Sequence, residues 1–94
     1  MKLVYSLVLL FCSTLSFSQS AVDWYNSGID KFEEGNTLGA IKDFNASLAL
    51  DSNAAETYWG RGSVYAELEQ FDDALRDLNK SITLNPQIAD AYYN

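Results

Sequence analysis

The 94-residue chain has no histidine and a single cysteine, Cys12. It has one proline, Pro86, and only six basic residues against thirteen acids. Without histidine the commonest general base is missing, and a lone cysteine cannot form an intrachain disulfide. A net charge of −7 repels phosphate backbones and anionic lipid, so nucleic-acid and membrane-surface binding are disfavoured. No segment alternates at period two, which argues against strands. Asp51-Ser52-Asn53 looks like the start of a calcium loop, but the glycine and distal glutamate are missing. The pairs Glu33–Glu34 and Asp72–Asp73 read as solvated acids beside helix ends. No catalytic residue, cofactor or metal is expected.

The first residues form a separate segment. Lys2 gives a positive start, Leu3 to Phe11 is apolar except for Ser6, and Ser16 and Ser18 bracket Phe17 before Gln19. This is the pattern of a secretory signal peptide over residues 1–18, too short in its apolar core to span a membrane. Bulky Phe11 before Cys12 argues against a lipid-bearing cysteine. Cleavage after Ser18 would leave a chain without cysteine, held by packing alone, in the periplasm, at the envelope or outside the cell.

Residues 19–94 repeat themselves at a spacing of 34. Ala21, Gly28, Glu33, Ala40, Asp43, Asn45, Ser47 and Leu50 recur as Ala55, Gly62, Glu67, Ala74, Asp77, Asn79, Ser81 and Leu84. A third copy opens with Ala89, Tyr92 and Tyr93. The units are 21–54, 55–88 and the start of a third, 89–94. A fixed period in this range marks units that bury their apolar faces only against neighbours. Such an array offers a surface to a partner and has no single catalytic pocket.

Helical periodicity runs through both full units. Val22, Tyr25, Ile29 and Phe32 share one face of a first helix, with Ser20 and Asp23 as its start signal and Gly35–Asn36 as its stop. Leu38, Ile41, Phe44, Leu48 and Leu50 mark a second helix. Asn53, three residues before Glu56, is expected to cap a third, which carries Tyr58, Trp59, Gly62, Tyr65 and Leu68. A turn without glycine at Glu69–Gln70 leads to a fourth helix through Phe71, Leu75, Leu78 and Ile82, ended by Asn85–Pro86. The fold class is all-α.

At these residues the chain resembles the tetratricopeptide repeat family, with its pattern W-x2-L-G-x2-Y…A-x3-F…P. Trp24, Gly28, Ala40 and Phe44 match in the first unit, with Ser27, Lys31 and Ser52 as departures. In the second, Gly62, Tyr65, Ala74 and Pro86 match, while Tyr58, Arg61 and Leu78 depart. The resemblance implies helix-turn-helix units stacked as an α-α superhelix. It also implies a concave groove, lined by the first helix of each unit, that holds a peptide or a partner's helix. The lining would be Val22, Tyr25, Ile29, Phe32 and Glu33, then Glu56, Trp59, Ser63, Ala66 and Glu67. This aromatic and acidic strip suits a basic or apolar protein partner.

Further expectations follow from the same comparison. Arg61 stands where the pattern has leucine and is expected to pair with Asp43, Asp77 or both. Members that grip a terminal carboxylate use Lys and Asn where this chain has Tyr25 and Ile29, so that mode is not expected. The triplets Asn45-Ala46-Ser47 and Asn79-Lys80-Ser81 fall inside helices and read as repeat chemistry, not sugar sites. The third unit stops early, so the sequence is expected to be a fragment of a longer array, with self-association through the uncapped end as another outcome. The functional expectation is an exported, non-catalytic scaffold. The alternative is the N-terminal sensory region of a larger membrane-anchored signalling protein.

Overall fold

The computed structural model describes residues 19–93; the expected signal peptide and Cys12 lie outside the described residues. Five helices follow one another: α1 (Ala21–Glu33), α2 (Thr37–Leu50), α3 (Ala55–Glu67), α4 (Phe71–Leu84) and α5 (Ile88–Tyr93). No strand occurs among the described residues. α1 packs against α2 and α3 against α4 as two hairpins; α2 then packs on α3, and α5 starts a third hairpin on α4. The architecture is the all-α, paired-helix repeat that the sequence predicts.

Each start and stop has a local cause. At α1 the Asp23 amide donates to the Ser20 hydroxyl (3.1 Å) and the Ser20 amide donates to the Asp23 carboxylate (3.0 Å), a reciprocal cap. α1 ends with the Asn36 amide on the Lys31 carbonyl (2.8 Å) and the Gly35 amide on the Phe32 carbonyl (3.0 Å). That closure needs a left-handed residue, which Gly35 supplies at φ 84°. The same closure recurs at α3, where the Gln70 amide reaches the Tyr65 carbonyl (2.9 Å). There the left-handed position is held by Glu69 at φ 60°.

One residue does more than expected, and one expectation needs correction. Asn36 not only follows the end of α1 but also caps α2, its side chain accepting from the Gly39 amide (3.0 Å). A Cβ on Gly39 would sit 2.4 Å from that Asn36 side chain, so a larger residue there would displace the capping amide from its present position. Asn53 does not cap α3. Its amide donates to Asp51 (3.0 Å), and the cap position is Ala54, which offers no side-chain bond. The same tight turn recurs one repeat later, where the Gln87 amide donates to Asn85 (3.1 Å). The link between hairpins is therefore held by its first residue, Asp51 or Asn85.

Phe44 is the centre of the core. It is fully buried with Ala40 and Val64, and Tyr25, Ile29, Phe32, Ile41 and Leu68 pack around this group. A Cβ on Gly28 would lie 2.6 Å from the Phe44 ring, and one on Gly60 would lie 2.8 Å from it. The ring is thus clamped between a glycine of its own hairpin and a glycine of the next, and two hairpins share one core. Gly62 plays the part of Gly28 in the second hairpin: its Cβ would meet Leu78 at 3.0 Å and the Ala74 carbonyl at 3.2 Å. Leu38 and Leu50, assigned by spacing to the apolar face of α2, are exposed.

Candidate partner-binding site

The recurring small and acidic residues of the second helices face the first helices. Ser47 donates to the Ala21 carbonyl (2.8 Å), and Ser81 donates to the Ala55 carbonyl (2.7 Å). Each bond ties the end of a second helix to the first turn of its partner. In the joined core Ser47 also meets the Thr57 hydroxyl of the following hairpin at 3.1 Å. These contacts fix the angle at which α1 and α3 lie side by side.

Asp43 and Asp77 are both buried, and each is neutralised from a first helix. Asp43 accepts from the Ser27 hydroxyl at 2.6 Å and pairs with Lys31 at 2.9 Å. Burial pushes its carboxyl up, but the Ser27 hydrogen bond and the Lys31 ammonium outweigh this and hold it below the usual carboxylate range. Asp77 takes two bonds from Arg61, at 2.7 and 2.8 Å. The hydrogen bond to Asp77 raises the guanidinium pKa further against the opposing effect of burial. Of the two expected partners Arg61 uses Asp77. Its remaining arm bonds Asn45 of the preceding hairpin at 2.8 Å, while Asp43 is held by Ser27 and Lys31. Tyr58 and Tyr65 flank the guanidinium at 5.7 and 6.0 Å.

The residues expected to line the groove divide into two sets. Val22, Glu33, Glu56 and Glu67 are exposed. Tyr25, Ile29, Phe32, Trp59, Ser63 and Ala66 are half-buried. Tyr25 lies 6.0 Å from Phe44 between ring centres, and Ile29 and Phe32 pack on the same core. The Ser63 hydroxyl donates to the Trp59 carbonyl one turn earlier (2.8 Å). Among the residues expected to be structural, Gly28, Ala40, Phe44, Gly62 and Ala74 are buried. Trp24, Tyr58 and Tyr65 are half-buried, the Tyr58 hydroxyl donating to the Ser52 carbonyl (2.9 Å). Pro86 is exposed in the turn.

Two clefts open between successive first helices. The larger, about 420 Å³, is bounded by Val22, Tyr25 and Asn26 of α1, Ser47 of α2, Asp51, Asn53 and Ala54 of the turn, and Glu56 and Thr57 of α3. The smaller, about 220 Å³, is bounded by Glu56, Asn85, Ile88 and Ala91. Each residue of the smaller cleft stands 34 positions after one in the larger: Val22, Asp51, Ala54 and Thr57. The family resemblance points to Val22, Tyr25 and Glu56 here. It missed Asn26, Thr57 and the turn, whose signal was the repeated Asx residue at 51 and 85. Among the described residues no group of three metal-ligating side chains occurs.

Comparison with known proteins agrees with this geometry. The tetratricopeptide repeat family profile matches residues 55–88. The chain is 34% identical over 87 residues to the UDP-N-acetylglucosamine–peptide N-acetylglucosaminyltransferase of Giardia intestinalis, covering 92% of this chain and 6% of that protein. It is 29% identical over 68 residues to heat shock protein STI1 of Saccharomyces cerevisiae, covering 64% of this chain and 12% of that protein. With the photosystem I assembly protein Ycf3 of Acaryochloris marina it shares 28% over 80 residues, covering 82% of this chain and 48% of that protein. The chain therefore spans less than half the length of each of these relatives. With paired helices repeating every 34 residues, buried glycine and alanine at the crossings and a matching profile, the chain belongs to the tetratricopeptide repeat family.

Proposed function

We propose that the chain is a non-catalytic scaffold, exported by its N-terminal segment, that holds a partner polypeptide against its first helices. The observation that carries this reading is the pair of clefts between successive first helices, set one repeat apart. A repeat array satisfies its own core hairpin by hairpin and leaves the side lined by first helices free to meet a ligand. Two relatives bear names of proteins that act on or assemble others, a peptide-modifying transferase and a photosystem assembly protein, which fits a polypeptide as ligand. Head-to-tail stacking of copies is disfavoured. The face of α3 that docks on α2 corresponds in α1 to Asp23, Asn26 and Asp30, which would bury charge against the exposed Phe71 and Leu75 of α4.

A pull-down from envelope extract tests the reading. Substituting the exposed Val22 and Glu67 with lysine should abolish capture of specific partners. Charge reversal at Lys42 and Lys80 on the second helices should leave that capture intact. Equal capture by both variants, each folded by circular dichroism, would remove the first helices from consideration.

A further inference from the structure

The first helices carry two cations, Lys31 and Arg61, and both are turned inward, Lys31 onto Asp43 and Arg61 onto Asp77. The other cations of the described residues, Lys42, Arg76 and Lys80, belong to α2 and α4, and Arg76 pairs with Asp73 on its own helix. The clefts between the first helices are consequently lined by carboxylates with no positive side chain. Asp51 and Glu56 edge the larger one, and Glu56 edges both. Glu56 is exposed and has no ion pair or hydrogen bond to another described side chain. Its equivalent in the next unit, Asp90, is also exposed at the start of α5. The apolar and aromatic parts of the walls are Val22, Tyr25 and Ala54 in the larger cleft and Ile88 and Ala91 in the smaller, and the rest is neutral and polar, including Asn26, Thr57 and Asn85.

From this arrangement we infer that the two clefts hold an extended, basic segment of a partner polypeptide, with apolar side chains in the clefts and a lysine or arginine on Glu56 between them. The inference rests on the proposed groove and names its ligand class. If successive first helices step by roughly 10 Å, the spacing of neighbouring helices, and an extended chain advances roughly 3.3 Å per residue, the two clefts are about three ligand residues apart. An extended strand with apolar residues at every third position and a cation beside them meets both requirements. The aromatic wall at Tyr25 adds attraction for a cation over that for a neutral side chain.

The test titrates the isotope-labelled full chain with the peptide acetyl-Leu-Lys-Ala-Leu-Lys-Ala-amide, followed by NMR. Two analogues replace both lysines with glutamine or with glutamate. The basic peptide should shift the amides of Val22, Asn26, Asp51, Glu56 and Ala91. The glutamine analogue should bind about two- to fivefold more weakly, the scale of an exposed charge pair, and the glutamate analogue should not bind. Glu56→Gln should erase the difference between the basic and neutral peptides, while the control Asp72→Asn on α4 should preserve it. Equal affinity of the basic and neutral peptides at these amides overturns the basic preference and leaves the groove standing. Absence of shifts on α1 and α3 with all three peptides, or shifts confined to Phe71, Leu75 and Ile82, overturns both.

Discussion

The two hairpins solve one problem with different residues. Each second helix buries an aspartate against its first helix, Asp43 in one and Asp77 in the other. In the first hairpin the hydroxyl of Ser27 and the ammonium of Lys31, one turn apart, share the charge. In the second, Arg61 at the Ser27 position does the whole task with two parallel bonds, and an aromatic residue, Tyr65, takes the Lys31 position. The repeat thus conserves a requirement, a donor set for a buried carboxylate, and leaves its chemistry free. The arginine solution does more than the lysine one, because its third nitrogen reaches Asn45 and ties the second hairpin to the first.

That contrast orders the expected effects of substitution. Arg61→Leu restores the family's usual residue but strands Asp77, so urea denaturation should show a loss of about 3 kcal/mol. The double variant with Asp77→Leu should recover most of it. A single Arg61→Leu as stable as wild type would mean that Asp77 finds another donor. The glycines come next. Gly28→Ala pushes a methyl into Phe44, which Gly60 holds from the other side, and should cost about 2 kcal/mol. Gly62→Ala meets Leu78 and the Ala74 carbonyl at 3.0 and 3.2 Å, looser than the approach at Gly28, and the better helix propensity of alanine offsets part of the strain, so the change should stay within about 1 kcal/mol. Comparable losses at both sites would contradict the clamp on Phe44.

Lys31→Met should cost less than Arg61→Leu, about 1 kcal/mol, because the Ser27 hydroxyl still serves Asp43 and the lysine is partly exposed. The pH dependence sharpens this point. Asp43 is held below the usual carboxylate range when folded, so its contribution is present above about pH 4 and is lost as the pH falls through the lowered value. Melting temperatures should therefore drop more steeply with acidification in the wild type than in Lys31→Met. The smallest effect is expected at the hairpin turns. Glu69→Gly relieves a left-handed glutamate and should stabilise by up to about 1 kcal/mol, while Gly35→Ala at the matching position should destabilise by a similar amount. Thermal melts of the two variants moving in the same direction would rule that out.

Most of the fold was legible because the signals are local and occur twice. The Ser20–Asp23 cap, the left-handed Gly35 and the Asn85–Pro86 stop each depend on a few neighbouring residues. The cap of α3 was misread because Asn53 has the right side chain but lies one residue too early, its amide engaged by Asp51. Gly60 carried no repeat signal, since its first-unit counterpart is the exposed Asn26. Its role exists only where a preceding hairpin supplies Phe44. The pairing of Arg61 was half legible for a similar reason. Spacing alone leaves both aspartates open, and the hairpin geometry that sets Ser27 on Asp43 sets Arg61, one repeat later, on Asp77. The apolar stripe of α4 shows the same logic from the other side. Leu75 is 58% exposed and Ile82 40% exposed, while their counterparts Ile41 and Leu48 are covered because α3 lies over them.

The central claim, that Phe44 between Gly28 and Gly60 joins the hairpins into one cooperative body, has natural reporters. Trp24 lies in the first hairpin and Trp59 in the second. Urea unfolding followed by fluorescence in the single-tryptophan variants Trp59→Phe and Trp24→Phe should give transitions that coincide with each other and with far-UV dichroism. A Trp59 signal that melts at lower urea than the Trp24 signal would show two hairpins that unfold separately, and would contradict the shared core.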